Sequence, residues 1–261
     1  MKLIKDAWKS MTYYGKALDI IFTKGLWWFF AFPLALNLIF FFGGFYFVGS
    51  LSDSLVEWVN AQMDLNPETW WAALLTGTLS WLIWLILKLI FFFTFAYFGG
   101  YIVIVLLSPV FSYLSERTEK ILTGKKYDFD FDQLMRDVVR GILIATRNVL
   151  IEILWMIGCF IITFIPVIGF AGPILLFFVT SYFYGFSFSD YSLERRKMTI
   201  SQSVSFMRRN KGSIIGNGMI YSIFMLIPFC GVTLAGFAAI VSVVAATISV
   251  HQIENKSIKI A

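Results

Sequence analysis

The sequence predicts an all-α integral membrane protein. Its residues are 59% hydrophobic, 19% aromatic and only 14% charged, whereas about 25% of the residues in a soluble domain are charged. The apolar residues form runs long enough to cross a bilayer, and most of the charge lies between the runs. Two runs are interrupted by proline and glycine, which break helices. We therefore expect one polytopic domain over residues 1–261, with two long transmembrane helices and two short helical hairpins.

The first element is an amphipathic segment, residues 1–23. Apolar residues recur there at helical spacing among lysines, a pattern typical of a helix lying on a membrane surface. The next run, residues 26–49, exceeds the about 7–15 apolar residues of a signal peptide, and no A-x-A cleavage site follows it. Trp27 and Trp28 lie at its start, where interfacial aromatics are common. This run predicts an uncleaved first membrane helix.

The second long run covers residues 70–107 and contains one charge, Lys88. It is too long for one perpendicular crossing, so it forms either a long tilted helix or a helix that breaks at Gly99–Gly100. Pro109 then marks a boundary. Residues 108–147 are amphipathic and predict a cytoplasmic region. From Phe131 to about Phe164 the pattern also fits one possible helix, with an amphipathic first half and an apolar second half.

The two hairpins are expected at residues 148–188 and 213–250. They turn at PVIGFAGP and PFCGVTLAG, which contain no charge. Arms of about 14–18 residues would be roughly 21–27 Å long, less than the about 30 Å of a bilayer core. We favour re-entrant hairpins that enter from the cytoplasm and turn inside the membrane or at its far edge. Two ordinary helix pairs, giving a six-helix protein, remain the alternative.

Lysine and arginine are distributed unevenly between the loops. The segment Ser50–Thr69 has acids and no basic residue, whereas the N-terminus, residues 108–147, residues 189–212 and the C-terminal tail are basic. The positive-inside rule then puts both termini on the cytoplasmic side of the membrane. The net charge of +5 indicates anionic lipid as a partner and gives no reason to expect nucleic acid.

Ionisable residues inside apolar runs are candidates for a functional site. Lys88 is the first, and its alternatives are a snorkelling lysine or a pair with an acid. Arg147 and Glu152 lie at the mouth of the first hairpin, where they form either a mutual contact or a charged vestibule. The segments ERTEK and LERRK indicate solvated faces beside the membrane. The sequence has no Walker motif, nucleophile elbow or metal-ligand pair, so we expect neither an enzyme nor a cofactor.

Three stretches resemble the CysZ-type sulfate permeases, the bacterial branch of the etoposide-induced-protein membrane family. The similarity extends over nearly the whole chain, in order and spacing. The three stretches are KGLWWFFAFPLALNLIFF (24–41), LLSPVFSYLSERTE (106–119) and PVIGFAGPILLFFVTSYFYGFSFSDYSLERR (166–196).

The resemblance implies two long transmembrane helices with two hemi-penetrating hairpins, assembly into dimers or larger oligomers, and sulfate uptake for cysteine synthesis without ATP hydrolysis. A non-transporting scaffold or assembly factor of the same fold is the alternative function. The resemblance also implies an anion site at the Gly-Leu start of the first membrane helix. In the family two arginines typically follow this Gly-Leu pair, and this chain has Trp27 and Trp28 there. The candidate residues for the anion site are Lys24, Gly25 and Leu26, and those of the family signature, structural or functional, are Asp190, Tyr191, Glu194, Arg195 and Arg196. Our hypothesis adds a pore or vestibule with the candidate residues Glu116, Arg117, Lys88, Arg147 and Glu152.

Overall fold

The structure is a computed structural model that describes residues 2–63, 70–124, 131–196, 198–227 and 234–258. The described residues form helices and no strand. The helices are α1 (Lys2–Thr23), a short 3-10 turn (Trp27–Phe30), α2 (Ala31–Met63), α3 (Trp70–Leu106), α4 (Ser108–Thr123), α5 (Phe131–Thr163), α6 (Ala171–Glu194), α7 (Ile200–Arg209), α8 (Lys211–Met225) and α9 (Ala235–Ile258).

Five helices among the described residues are long and apolar enough to cross a membrane. Their candidate spans are Trp27–Val59, Thr76–Phe93, Val139–Thr163, Ala171–Glu194 and Ala235–Asn255. The prediction of an all-helical membrane protein is therefore confirmed in its coarse form.

The structure corrects one predicted boundary, at the end of α2, and agrees with an interpretation of the sequence at two others. α2 continues to Met63, so residues 50–63 are helical and do not form the expected loop. α3 runs through Gly99–Gly100 without a break, which decides between the two alternatives for this run. α5 begins at Phe131, so it joins the end of the amphipathic region to the first arm of the hairpin. The arms of that hairpin are therefore longer than predicted.

The core lies where α1, α4, α6, α8 and α9 meet, and it includes the ends of neighbouring helices. Its fully buried side chains include Ile21, Phe29, Phe111, Tyr221 and Ile240. α2 and α3 pack mainly on each other, and most of their large apolar side chains are exposed. Exposed aromatic surface of this extent is what a lipid-facing helix pair presents.

Glycines let α8 approach two helices closely. A Cβ at Gly212 or Gly216 would overlap with the carbonyl oxygen of Leu3 or Ala7 in α1. A Cβ at Gly218 would overlap with the carbonyl oxygen of Ser181 in α6. Small residues spaced in this way permit close backbone contact between membrane helices.

α1 has a different environment from the one its sequence predicts. Its buried face, which includes Tyr13 and Ala17, packs on α8 and α9. The Ser10 and Ser249 hydroxyl oxygens are 3.1 Å apart, so the middle of α1 lies beside the C-terminal part of α9. The helix is therefore fixed to the protein, and exposed Leu3 and Leu18 remain available to the membrane surface.

The first hairpin turn satisfies much of its own backbone. The amides of Phe164, Ile165 and Gly169 donate to carbonyls three or four residues earlier. Its apolar side chains are exposed, with Val167 at 88% and Phe170 at 73%. Exposed apolar side chains on a turn with satisfied amides suit an apolar environment. The second turn, residues 228–233, lies outside the described residues.

Candidate functional site

The junction between α1 and α2 forms one wall of a cleft of about 440 Å³. α1 ends at Thr23, and Gly25 follows with a φ of +72°, a left-handed value that glycine adopts without strain. The Leu26 amide then donates to the Ile21 carbonyl at 2.9 Å, and both side chains are buried in the same core cluster. This hydrogen-bond pattern is a Schellman motif, and it fixes Lys24 at the edge of the cleft.

The Leu26 side chain is therefore buried in the core, and the Leu26 amide is hydrogen-bonded within the protein. The first hydrogen bond of the following turn is donated by Phe29 to the Leu26 carbonyl, at 3.1 Å. The amides of Trp27 and Trp28 precede that bond. Amides in the first turn of a helix have no intrahelical acceptor, so these two are the backbone donors that the junction offers.

α4 forms the opposite wall of the cleft. Phe29 is buried against this helix, and its ring lies 5.9 Å from the ring of Tyr113. Arg117 is one turn further on; its guanidinium lies 5.0 Å from the Tyr113 ring, and its Nε donates to the Tyr113 hydroxyl at 2.7 Å. A stacked and hydrogen-bonded guanidinium keeps less rotational freedom than a free one.

Three cations thus surround the cleft: Lys24 from the turn after α1, and Arg117 and Lys120 from α4. No carboxylate is among the described residues that line it. Glu116 is half-buried next to Arg117 but does not line the cleft. A concave surface with cations and no acid attracts anions, and the attraction weakens as salt increases.

The structure does not bring Lys88, Arg147 and Glu152 to this cleft. The Lys88 ammonium donates to the Phe45 carbonyl at 3.0 Å and lies 3.3 Å from the centre of the Phe45 ring, so it joins α3 to α2. Arg147 donates to the Asn148 side-chain oxygen at 3.0 Å and lines a different cleft. Glu152 forms a side-chain hydrogen bond with Thr180. The alternative contact between Arg147 and Glu152 is not among the ion pairs of the described residues.

The signature residues form a buried ion-pair network. Arg140 of α5 contacts both oxygens of Asp190, each at 3.1 Å, and donates to the Ser203 hydroxyl at 2.7 Å. Glu194 lies 4.0 Å from the same guanidinium. A bidentate pair of this kind fixes both distance and orientation. It ties α5, α6 and α7 together.

The network continues through Glu119 of α4. Its carboxylate lies 3.4 Å from Arg195 and 3.3 Å from Arg196, and Arg196 also pairs with Glu254 of α9. Glu119 is only 5% exposed. The interpretation of the two charged segments as solvated faces is therefore wrong for these residues, because the segments bind each other. Tyr191 is half-buried and packs its ring on Phe111, 6.0 Å away.

Reasoning from the sequence missed Arg140, Tyr113 and Lys120. Arg140 is the partner of the signature acids, and its spacing along α5 carried no signal of that contact. Tyr113 and Arg117 are four residues apart, which places them on one helix face. That spacing could have identified Arg117 as an oriented side chain, and Lys120 as its neighbour one turn later.

Comparison with known proteins identifies the family. A family model described as "Sulfate transporter CysZ/Etoposide-induced protein 2.4" matches residues 13–235. The chain belongs to this family. The matched region includes the cleft and the acids and arginines of the network up to Arg196.

Several curated bacterial proteins are similar to this chain. The protein named Sulfate transporter CysZ of Vibrio parahaemolyticus is 27% identical over 230 residues, 87% of this chain and 90% of that protein. A protein of the same name from Vibrio cholerae is 27% identical over 221 residues, 83% of this chain and 84% of that protein. One from Pseudomonas fluorescens is 27% identical over 219 residues, with 83% and 84% covered. These relatives are named as transporters and not as enzymes.

Proposed function

We propose that this protein is a permease or channel for an inorganic oxyanion in the bacterial inner membrane, with sulfate as its first candidate substrate, and that it works without ATP hydrolysis. The observation that carries the proposal is the cleft between the α1–α2 junction and α4. Lys24, Arg117 and Lys120 line it without a carboxylate. The similarity to proteins named sulfate transporters supports the choice of anion.

We infer that the α4 cations take the place of the arginines that are absent after Gly25–Leu26. Resemblance to the family leads us to expect two arginines at positions 27 and 28, and this chain has tryptophans there. Arg117 and Lys120 bring positive charge to the same cleft from the neighbouring helix. Charge-assisted hydrogen bonds to an oxyanion contribute about 1.5–3 kcal/mol each. The proposed site therefore still offers charged hydrogen-bond donors to an oxyanion, but they come from different residues.

The proposal includes both termini on the cytoplasmic side and a re-entrant second hairpin. At about 1.5 Å per residue, α8 would be about 22 Å long, less than the about 30 Å of a bilayer core. Gly212 at the start of α8 packs on Leu3, and Ser249 near the end of α9 contacts Ser10. These contacts support a hairpin that starts and ends on the side of α1. Assembly into an oligomer stays a prediction of the family resemblance.

A second candidate function is a membrane scaffold that retains the fold without transport. The tryptophan pair favours it, because Trp27 is 61% and Trp28 42% exposed. Large exposed aromatic side chains at this position suit lipid or a protein partner. Under this function the cations of the cleft would contribute only to solubility and orientation.

Flux of radiolabelled sulfate into liposomes that contain the purified protein tests the proposal. We expect flux above that of empty liposomes, and we expect selenate and sulfite to suppress it while chloride does so less. Absence of flux from protein shown to be folded and inserted would reject sulfate permeation and favour the scaffold. Replacing Trp27 and Trp28 with arginine should increase sulfate binding if the site is placed correctly. A folded variant with no gain would count against that placement.

A further inference from the structure

A second cleft, of about 500 Å³, lies between α5, α6 and the α7–α8 junction. It shares no lining residue with the anion cleft among the described residues. Its two ends differ in chemistry: one end is basic and the other is lined by apolar and aromatic side chains.

The basic end is formed by Arg147 of α5, Arg208 of α7 and Lys211 of α8. Tyr182 of α6 lines the same cleft as these cations. Within the described ranges, no carboxylate lines the cleft and none of the three cations forms an ion pair. Three helices thus bring three unneutralised cations together at one end of the groove.

The apolar end lies within the candidate membrane spans of α5 and α6. Trp155 is 58% exposed, and Leu175 and Phe178 line the same wall. These side chains continue the lipid-facing surface of α5 directly to the basic end. The groove therefore connects an acyl-chain environment to a site for negative charge.

We propose that this groove binds one anionic phospholipid. The phosphate lies among Arg147, Arg208 and Lys211, and an acyl chain follows Trp155 and Phe178. Basic pockets between membrane helices bind lipid headgroups of this class. A zwitterionic phospholipid fits less well, because its own ammonium or choline group would lie among three cations.

The chemistry of the groove favours a lipid over its two other occupants. A free oxyanion would use the basic end but leave the aromatic wall uncovered. A second copy of the chain, packed across a two-fold axis through the groove, would place the same three cations opposite themselves. The described residues that line the groove include no acid to neutralise them. A single anionic phospholipid places its phosphate at the basic end and covers the aromatic wall with an acyl chain.

Native mass spectrometry of the detergent-solubilised full chain tests the proposal, with phosphatidylglycerol and phosphatidylcholine of identical acyl chains as probes. We expect wild type to retain phosphatidylglycerol in clear preference, one molecule per chain. Removing Arg147 and Arg208 as R147Q and R208Q should reduce this preference by about fivefold per cation, since a basic residue near the surface contributes about 1 kcal/mol. The matched control is R209Q: Arg209 is an exposed neighbour of Arg208 that does not line the groove, and its loss should leave the preference unchanged.

Competition separates the lipid from the other occupants. Soluble glycerol 3-phosphate or inorganic phosphate should not displace the bound lipid, and W155A should weaken retention of both phospholipids. Displacement by inorganic phosphate would overturn the proposal in favour of an oxyanion site. Lipid retained only in dimers would overturn it in favour of a subunit interface. If the double variant does not fold, the wild-type measurement alone tests the proposal. Equal retention of the two phospholipids by wild type would overturn it. None of these readouts depends on sulfate flux.

Discussion

The candidate spans of α9 and α3 have similar mean hydropathy but opposite surroundings. In α9, 67% of the most apolar window is buried inside the protein, whereas none of the corresponding window of α3 is buried. α9 has small residues where it packs, including Ala239, Ser242 and Ala246. α3 has large ones, such as Trp81 and Phe93, and they are exposed.

This difference shows that hydropathy and side-chain size carry separate information. Hydropathy indicates that a helix belongs in a membrane, because transfer from water favours both kinds of side chain. Size indicates the partner, since helices approach each other closely only where side chains are small. α9 therefore supports the region that holds the proposed anion cleft and the ion-pair network, and α3 presents the surface expected of a lipid-facing helix.

The largest effect is expected from breaking the network in the packed region. Arg140→Ala leaves Asp190 and Glu194 without their guanidinium, and removing one partner of a buried ion pair costs about 3–5 kcal/mol. Thermal unfolding in detergent, followed by size-exclusion chromatography, measures this loss. Arg209→Ala is the control, because Arg209 is exposed. Equal stability of the two variants would show that the network does not stabilise the fold.

The next effect comes from the close approach of helices. Gly218→Leu places a side chain against the Ser181 carbonyl, and overpacking of this kind costs about 1–3 kcal/mol or more. Gly77→Leu makes the same change in α3, where a Cβ meets nothing within 4 Å, and should be tolerated. The same unfolding assay compares the two variants. If Gly77→Leu proved as damaging as Gly218→Leu, the distinction between the two regions would fail.

A smaller effect is expected at Tyr14, which joins α1 to the packed region. Its hydroxyl lies 2.5 Å from the Asn217 carbonyl oxygen and 2.9 Å from Ser242 Oγ. Tyr14→Phe should cost about 1 kcal/mol at neutral pH, the contribution of one hydrogen bond.

Tyr14 also makes the stability of the folded protein depend on pH. Burial raises the pKa of Tyr14 above its ordinary value, so the folded state holds the phenol proton more tightly than the unfolded state. This contribution is complete below about pH 10 and is lost as pH rises further, by at most about 1.4 kcal/mol per pH unit. Unfolding midpoints at alkaline pH should therefore fall more steeply in wild type than in Tyr14→Phe. Parallel curves would contradict this assignment.

The smallest effect is expected on the exposed face of α3. Phe93→Leu exchanges one lipid-facing apolar side chain for another and should change stability by less than about 0.5 kcal/mol. The unfolding assay, repeated in lipid nanodiscs, checks this value. A loss comparable to that of Gly218→Leu would indicate that another protein surface covers α3.

Much of the fold was accessible from the sequence because membrane helices obey strong rules. Composition and run length predicted the long apolar helices of the described region, and Pro109 correctly marked the start of α4. The boundary of α2 was missed because Asp53 and Glu57 suggested a loop, yet a helix can extend beyond the bilayer with acids on its surface. The span of α5 was accessible, since the sequence indicated one possible helix from Phe131 whose amphipathic first half continues into an apolar second half.

The site was less accessible because its parts come from distant segments. Resemblance to the family indicated Lys24 and Gly25, but no local pattern shows that Arg117 and Lys120 line the same cleft. The signature acids and arginines were recognised without their partners, because those partners are distant in the sequence. Arg140 and Asp190 are 50 positions apart, and Glu119 and Arg196 are 77 positions apart. Local spacing predicts contacts along one helix, and it contains no information on such pairs.

The most direct test of the account is sulfate flux through a variant that lacks the cations of the cleft. Lys24, Arg117 and Lys120 would be changed together to glutamine and compared with a charge-matched variant in which Lys5, Lys16 and Arg209, all exposed, are changed in the same way. We predict that flux falls about tenfold or more in the cleft variant, because charge-assisted contacts to the anion are lost, and that it stays within about twofold of wild type in the control. Equal flux through both folded variants would contradict the assignment of this cleft as the anion site.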